Sequence, residues 1–249
     1  MNLTLVQQTQ EDQYVFPYHY ISLYLEEYRR LTHRHYLSLL DTARRLLGEL
    51  AGIRVLDVGC GDGRFCYELL QGGATSVTGL DYSPRAIAFA RAFNPRGRFE
   101  VADPRTWQPS EPMDAIACLE VIEHIPISEV HGFVRAVCAA GRPGSRLVVS
   151  VPSTNVPLPR KHYQHFTSKQ LVELFSGLCQ PEDIIGHLLA GNQWRRFERM
   201  RRLSLALWRL RSRLPPINAL VEMTERQFRR IEFCDPDKAR GIIALFRKI

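Results

Sequence analysis

Three glycines alternate with other residues directly after a short apolar segment. The segment reads VLDVGCGDGRF from Val55 to Phe65, and the glycines are Gly59, Gly61 and Gly63. Glycine tolerates a positive φ angle and lets another group approach the backbone closely. Alternatively, the same glycines could have a purely structural role in a tight strand-to-helix turn. The residues around them must therefore decide between a binding turn and a purely structural one.

Acidic residues follow three successive predicted strands. Asp57 precedes the glycines, Asp81 ends the second strand and Asp103 ends the third. Ligands of open α/β sheets bind beyond the carboxyl ends of the strands, where an acid after the second strand hydrogen-bonds ribose hydroxyls. Asp57 suits an amino-bearing ligand, and Asp103 can meet an adenine amine. The three acids together predict a pocket for a positively charged nucleoside.

A second group of reactive side chains follows the next two predicted strands. Glu120, Glu123 and His124 lie in EVIEHIP, whereas His162 and His165 lie in KHYQHF. Histidine can take a proton from an oxygen nucleophile near neutral pH. Carboxylates and imidazoles are also ligands of Mg²⁺ or Mn²⁺. Three interpretations stay open here: structural support, a general base and a metal site.

Alternating strands and helices must position these residues. Apolar strands are predicted at 53–58, 76–81, 98–103, 113–120, 146–152, 183–191 and 239–248, and most are separated by helical patterns. Ser83 and Pro84 predict the start of one helix, and Thr167 with Gln170 forms the capping box of another. Such alternation indicates an α/β fold with a parallel sheet covered on both faces.

The chain is predicted to be one domain of residues 1–249 with three parts. Residues 1–50 form a helical cover, with the aromatic segment YVFPYHY before a helix from about 21 to 50. Residues 51–190 and 237–249 form the core. Residues 191–236 form a helical insertion before the last strand.

One stretch of the insertion has a net charge of +7, equal to that of the whole chain. The stretch WRRFERMRRLSLALWRLRSRL, residues 194–214, holds eight arginines and one acid. Its apolar residues recur every three or four positions, which predicts a docking stripe of Trp194, Phe197, Met200, Leu203, Leu207, Leu210 and Leu214. A surface helix, an anionic membrane contact and a contact for a phosphate-bearing substrate, RNA included, are all compatible with Arg195, Arg199, Arg202 and Arg209.

Composition restricts the class of protein. Hydrophobic residues make up 45% and charged residues 24% of the chain, which is typical of globular proteins. No apolar run reaches the ~20 residues of a membrane span. The first 13 residues have neither a basic start nor an apolar stretch, so we expect no signal peptide. The six cysteines form no CxxC pair, which favours a cytoplasmic protein, with peripheral membrane attachment left open.

Five segments resemble the successive motifs of class I S-adenosylmethionine-dependent methyltransferases. They are VLDVGCGDG, GLDYSPRAIAFA, FEVAD, MDAIACLEVIEHIP and RPGSRLVVSVPS. The resemblance implies a Rossmann-like seven-stranded sheet with N-terminal helices over the cofactor S-adenosylmethionine. The cofactor-binding residues that it implies are Asp57, Gly59, Gly61, Gly63, Asp81, Tyr82, Asp103 and Glu120. Among these, Asp81 would hold the ribose and Tyr82 would pack on the adenine.

The resemblance further implies methyl transfer, which we expect to reach an oxygen of a small molecule, glycan or lipid-linked intermediate, as in ubiquinone-biosynthesis O-methyltransferases. The predicted catalytic residues are His165, His162 and His124. Glu120, Glu123, His124 and His162 also resemble the metal site of RNA 2′-O-methyltransferases. The flanking YQHFT departs from that pattern, so we expect no metal. A metal-assisted RNA enzyme and a non-catalytic binding protein remain the alternatives.

Overall fold

The computed structural model describes residues 11–12 and 14–249, and its core is one eight-stranded sheet. The strands are β1 (Arg54–Val58), β2 (Ser76–Asp81), β3 (Arg98–Val101), β4 (Met113–Leu119), β5 (Gly141–Pro152), β6 (Cys179–Leu189), β7 (Phe233–Cys234) and β8 (Ala239–Lys248). Their order is β3-β2-β1-β4-β5-β8-β6-β7. The predicted α/β class and Rossmann-like sheet are confirmed.

Two features of the sheet differ from the prediction. β7 is an additional two-residue strand on the outer side of β6. The predicted parallel pairing holds for β1 to β5, whereas β8 runs antiparallel to both β5 and β6. Apolar patterning reveals which residues are buried but contains no information on strand direction. The direction of β8 therefore emerged only from the assembled sheet.

Helices cover both faces of the sheet. They are α1 (Ile21–Tyr24), α2 (Arg34–Leu47), α3 (Arg64–Gln71), α4 (Pro84–Phe93), α5 (Val130–Ala139), α6 (Ser168–Leu174), α7 (Asn192–Leu207) and α8 (Pro215–Ile231). The Ser83 hydroxyl accepts from the Ala86 amide at the start of α4, and Thr167 and Gln170 form the capping box of α6. Both predicted helix starts are confirmed.

The core divides into two apolar layers, one on each side of the sheet. Along β1, Val55 packs with α2, α3 and α4, whereas Leu56 and Val58 pack with α5 and α6. Successive strand residues point to opposite faces, so a strand that is buried on both sides must be apolar throughout. This two-sided burial leaves the carboxyl ends of the strands as the open edge of the sheet.

The N-terminal cover is broken where the sequence predicts one helix from 21 to 50. The backbone is extended at Leu25 after α1, a π-helical turn spans Tyr28–Thr32, and α2 begins at Arg34. The bend lets residues 14–20 reach the glycine turn, where the His19 ring contacts Asp62 at 3.0 Å. The expectation about a signal peptide concerns residues 1–13, of which all but 11 and 12 lie outside the described residues.

The insertion forms a helical hairpin of α7 and α8, named here the arginine hairpin (Asn192–Ile231). The predicted docking stripe is partly wrong. Phe197 is buried as expected, but Leu203, Leu210 and Leu214 are exposed, and the buried Trp208 lies outside the predicted stripe. α7 ends at Leu207, and its inner face meets α8 through the hydroxyls of Ser204 and Thr224, 2.9 Å apart. The packing of α8 therefore buries a different face of α7 from the face that carries most of its leucines.

Candidate active site

A cavity of about 290 Å³ opens at the carboxyl ends of β1, β2 and β4. Its floor includes Asp57, Gly59 and Gly61 after β1, and Asp81 and Tyr82 after β2. Residues of the N-terminal cover form another wall, and residues after β3 and β4 complete it; these further lining residues include Tyr14, Tyr18, His19, Tyr36, Asp103, Arg105, Glu120, His124 and Lys161. The structure therefore gathers seven of the eight predicted cofactor residues around one cavity.

The glycine turn has the conformation that its sequence predicts. The φ angles of Gly59, Gly61 and Gly63 are +73°, +54° and +81°, a region that side chains disfavour. A Cβ at Gly59 would overlap Val121, and one at Gly61 would lie 2.7 Å from the Tyr14 hydroxyl. Gly63 begins α3 and is the predicted cofactor residue that does not line the cavity. Gly59 and Gly61 therefore keep the floor of the cavity open.

Asp81 is held rigidly at the end of β2. Its two carboxylate oxygens accept hydrogen bonds of 2.9 Å from the Gly61 and Ser83 amides. Burial raises the pKa of Asp81 to about 6, although these two amides oppose the shift. Each carboxylate oxygen keeps a further lone pair. Asp81 is thus oriented to accept hydrogen bonds from a ligand in the cavity.

The other two strand-end acids have different environments. Asp57 is buried, accepts a contact of 3.2 Å from the Cys66 thiol and has its pKa raised to about 7 by burial. Asp103 is partly exposed and pairs with Arg105 at 2.6 Å. Burial would raise the pKa of Asp103, but the hydrogen bonds from Arg105 outweigh it and leave that pKa below its usual value. A ligand must therefore share Asp103 with Arg105.

Three predicted catalytic histidines lie together beside the cavity, and their hydrogen bonds define their tautomers. His124 Nδ1 lies 2.9 Å from the Lys161 carbonyl, and His165 Nδ1 lies 3.1 Å from the Val156 carbonyl. A carbonyl only accepts, so each of these nitrogens bears the proton when the ring is neutral. His165 Nε2 then accepts from His162 Nδ1 at 2.8 Å. The Nε2 atoms of His124 and His162 are left with lone pairs.

A buried carboxylate faces these lone pairs. Glu123 is 1% exposed, and its Oε1 lies 3.8 Å from His124 Nε2. Its Oε2 has no hydrogen-bond partner among the described residues. Burial first, and the nearby Glu120 second, raise the pKa of Glu123 well above its usual value. One ligand atom each from Glu123, His124 and His162 lie within 4.8 Å of one another.

Glu120 is placed apart from that group. Its backbone has a positive φ of +55°, and its Oε1 accepts from the Ser150 hydroxyl at 2.9 Å. The side chain therefore belongs to the cavity wall. Of the three histidines, His124 lines the cavity, whereas His162 and His165 do not.

Several residues of the cavity wall or of the turn beside it were not singled out from the sequence. Asp62 in the glycine turn does not line the cavity; it is fully buried and contacts both the amide and the ring of His19. Tyr36 and Lys161 line the cavity. The aromatic segment at 14–20 was a usable signal for the cover, but nothing local distinguishes Tyr36 from its neighbours. Its position depends on how α2 crosses the sheet.

The strand order, the glycine turn after β1 and the acid after β2 together define a class I S-adenosylmethionine-dependent methyltransferase. The chain belongs to the family described as "Methyltransferase domain", whose model matches residues 26–198. The family prediction from the sequence motifs is confirmed.

Individual relatives agree with this class. The ubiquinone biosynthesis O-methyltransferase of Alkalilimnicola ehrlichii is 37% identical over 124 residues, which is 47% of this chain and 48% of that protein. The enzyme of the same name from Xylella fastidiosa is 40% identical over 108 residues, 41% of this chain and 42% of that protein. The chain thus spans less than half the length of these relatives.

Solved structures show the same fold at low identity. The N-methyltransferase NodS of Bradyrhizobium japonicum, in complex with S-adenosyl-L-homocysteine, matches with a TM-score of 0.64 at 15% identity and covers 98% of this chain and 99% of its own. The magnesium protoporphyrin IX methyltransferase of Synechocystis, with bound S-adenosylmethionine, has a TM-score of 0.55 at 20% identity, covering 74% of this chain and 91% of its own.

Proposed function

We propose that this protein transfers a methyl group from S-adenosylmethionine to an oxygen atom of a small-molecule acceptor. The observation that carries the proposal is the cavity formed by the glycine turn and the rigid Asp81 carboxylate. Asp81 would accept hydrogen bonds from the ribose hydroxyls, and Asp57 would lie near the amino end of the cofactor. Gly63 would act indirectly, by starting α3 beside the turn.

The charge of the cavity fits this cofactor. Asp57, Asp81, Asp103 and Glu120 line it, and their carboxyl groups suit a ligand that carries an ammonium and a sulfonium. S-adenosylmethionine supplies an electrophilic methyl group when bound. The Tyr82 ring lies beside Asp81 in the wall, where it can pack on the adenine. These residues would hold the cofactor without any phosphate-binding group.

The chain itself would contribute orientation and proton removal. Displacement at a methyl group requires the acceptor oxygen to be aligned, which is largely a matter of positioning. His124 lines the cavity and keeps a lone pair on Nε2, so it would take the acceptor's proton at that atom. His162 and His165, which do not line the cavity, would support the position of His124. Residues 14–20 of the cover would exclude water from the cavity.

The acceptor class is proposed from two observations. The relatives named above are O-methyltransferases of ubiquinone biosynthesis, which favours a small molecule with a hydroxyl group. The wall formed by the N-terminal cover contains Tyr18, Tyr36 and Leu39, an apolar and aromatic surface. A glycan or lipid-linked intermediate with a planar or apolar part would also fit such a wall.

The experiment is methyl transfer from labelled S-adenosylmethionine to a panel of phenolic and glycan acceptors. We expect calorimetry to show binding of S-adenosylhomocysteine to the folded protein. The variant H124A should lose turnover and keep its affinity for S-adenosylhomocysteine. The matched control H131A changes an exposed histidine of α5 and should keep both. If the folded protein bound neither S-adenosylmethionine nor S-adenosylhomocysteine, the proposal would be refuted.

Metal-assisted transfer is the second candidate, and the geometry of one cluster favours it. Three atoms with lone pairs, on Glu123, His124 and His162, converge, and two of the rings donate their other nitrogen's proton to a neighbour. That is how metal-bound histidines are commonly oriented. Burial also lowers the pKa of His162 to about 3, so its imidazole stays neutral. These residues would hold a Mg²⁺ or Mn²⁺ ion beside the acceptor oxygen.

The two candidates differ in a direct measurement. Electron paramagnetic resonance of added Mn²⁺ reports binding without any turnover, and the variant E123Q should abolish it if the cluster is a metal site. Transfer that survives EDTA together with undetectable Mn²⁺ binding supports His124 as an unassisted base. Transfer lost on chelation and restored by Mn²⁺ supports metal assistance, the mode associated above with RNA 2′-O-methylation.

A further inference from the structure

The exposed arginines of α7 form a strip without acidic partners. Arg195, Arg199 and Arg202 recur at spacings of four and three residues, which places them on one side of the helix. Arg195, Arg199 and the following Arg209 have no ion pair among the residues that the structure describes. Arg202 is 79% exposed and has only a distant contact of 3.9 Å with Glu198. The strip therefore carries three unpaired positive charges, and Arg202 adds a fourth that is only weakly paired.

The inner arginines of the same hairpin are paired. Arg201 makes two hydrogen bonds of 2.9 Å to Glu198, and Arg211 bonds Glu26 at 3.0 Å. Arg30 makes bonds of 2.7 and 2.9 Å to Glu225 of α8. The pairs Arg211–Glu26 and Arg30–Glu225 fasten the hairpin to the N-terminal cover, whereas Arg201 and Glu198 pair within α7. The hairpin therefore does not need its outer arginines to dock on its own domain.

Exposed apolar side chains border the strip. Leu203 lies on α7, and Leu210 and Leu214 lie at the tip of the hairpin; their exposed fractions are 50%, 41% and 49%. The ion pair between Arg211 and Glu26 brings the tip to the cover, where Tyr24 is 75% exposed and Leu23 and Leu25 are each 40% exposed. Large apolar side chains and unpaired arginines thus lie side by side on one end of the protein.

We propose that this surface docks the protein on a membrane with anionic headgroups. Arginines bind the lipid phosphates while neighbouring leucines enter the boundary of the acyl chains, as in helices that lie in a membrane interface. The occupant follows from charge complementarity and from the exposed leucines. None of the helices in the described residues could span a bilayer.

A nucleic acid fits the same surface less well. Proteins that bind single strands without sequence preference stack bases on exposed aromatic rings. Tyr24 is an exposed ring on this surface, but the two tryptophans of the hairpin are covered, because Arg211 lies 3.9 Å from the Trp208 ring centre and Arg240 lies 4.3 Å from that of Trp194. The leucines at the tip would gain nothing from contact with phosphates. The partner that uses both charge and apolar side chains is the membrane.

Sedimentation with vesicles tests the proposal on the protein of residues 1–249. We expect binding to phosphatidylcholine vesicles that contain phosphatidylglycerol and none to vesicles of phosphatidylcholine alone. Binding should weaken as salt is added, because exposed charges are screened. Equal binding to both vesicle types, or none to either, would overturn the proposal.

Two charge variants locate the surface. The first replaces the four strip arginines by glutamine: R195Q, R199Q, R202Q and R209Q. It should lower the partition coefficient on the order of a thousandfold, given the typical contribution of each basic residue at an anionic surface. The matched control removes four cations that pair with acids elsewhere: R45Q, R142Q, R247Q and K169Q. The control should bind vesicles like the parent. An equal loss of vesicle binding in both variants would mean that only the net charge of the protein matters.

Variants of the exposed leucines distinguish a membrane from a nucleic acid as the partner of this surface. The variant L210S/L214S should bind vesicles about tenfold less tightly, since each leucine removed takes apolar area out of the acyl boundary, and should keep the salt dependence. If this variant binds vesicles like the parent while single-stranded RNA displaces the parent from them, the partner is a nucleic acid and the proposal is wrong. Unchanged affinity for S-adenosylhomocysteine shows that each variant is folded.

Discussion

The cofactor cavity and the arginine hairpin carry charge in opposite ways. The cavity holds a few buried acids, and the pKa values of Asp57 and Asp81 are raised because burial disfavours their ionised forms. The hairpin holds many cations, and its strip arginines lie in water. Asp57, Asp81 and Glu120 each have their own hydrogen bonds, whereas the strip arginines act only by their number.

This contrast determines how each region responds to substitution. A buried charge interacts strongly with whatever faces it, since little water screens the interaction. An exposed charge is screened within about 10 Å at ordinary salt. One substitution in the cavity should therefore change ligand binding markedly, whereas one substitution on the hairpin should change little. The following predictions test that difference from the largest expected effect to the smallest.

Gly59→Ala should have the largest effect. The added Cβ would overlap Val121 and would require an alanine at a φ of +73°, so we expect unfolding to become easier by about 1–3 kcal/mol and cofactor binding to be lost. Denaturation and calorimetry measure the two effects. Gly132→Ala in α5 is the control, because its Cβ would meet no atom within 4 Å and should stabilise the helix by up to about 1 kcal/mol. Similar results for both variants would contradict this account.

Asp81→Asn should weaken S-adenosylhomocysteine binding by about 10- to 100-fold, or about 1–3 kcal/mol. The amide group would turn a donor toward either the Gly61 or the Ser83 amide, so the side chain would lose its fixed orientation. Calorimetry measures the change. Asp41→Asn removes an exposed carboxylate that pairs with Arg45 and should leave affinity unchanged. An Asp81 variant with the parent's affinity would mean that the ribose is held elsewhere.

Asp57→Asn should change the pH dependence of stability. The pKa of Asp57 is about 7 in the folded protein and near 3.8 when unfolded, so its contribution is full below pH 4 and is lost as the pH rises toward 7. Asparagine imitates the neutral acid. The variant's melting temperature relative to the parent should therefore be higher at pH 8 than at pH 5, by roughly 5–10 °C. A constant difference between these pH values would mean that Asp57 does not titrate in this range.

Single arginines of the hairpin should give the smallest effects. Arg199→Gln removes an unpaired, exposed charge, and we expect the free energy of unfolding to change by less than about 0.5 kcal/mol. Arg30→Gln breaks the pair with Glu225 and should cost about 0.2–1 kcal/mol. Chemical denaturation compares them. An Arg199 variant less stable than the Arg30 variant would show that the strip supports the fold.

Much of the cofactor site was predictable because its signals are local. Apolar strands that end in an acid, followed by glycines, define a turn whose conformation depends on a few neighbouring residues. The helix starts at Ser83 and Thr167 were predictable for the same reason, since a cap bonds amides only two or three residues away. These features needed no knowledge of distant contacts.

The acceptor side was less predictable because it depends on distant contacts. The sequence places His124, His162 and His165 at two strand ends, but the carbonyls of Lys161 and Val156 decide which ring nitrogen keeps its lone pair. Likewise, α8 decides which face of α7 is buried, and the break at Leu25 brings residues 14–20 over the glycine turn.

The sequence by itself thus determined the class of fold, the glycine turn and the acids at the strand ends, because these follow from the periodicity and turn chemistry of short segments. Only the tertiary structure decided the direction of β8, the assembly of Glu123 with His124 and His162, and the exposure of the hairpin leucines. Each of these depends on which distant surface packs against the segment, and the pattern of one segment does not specify its partner.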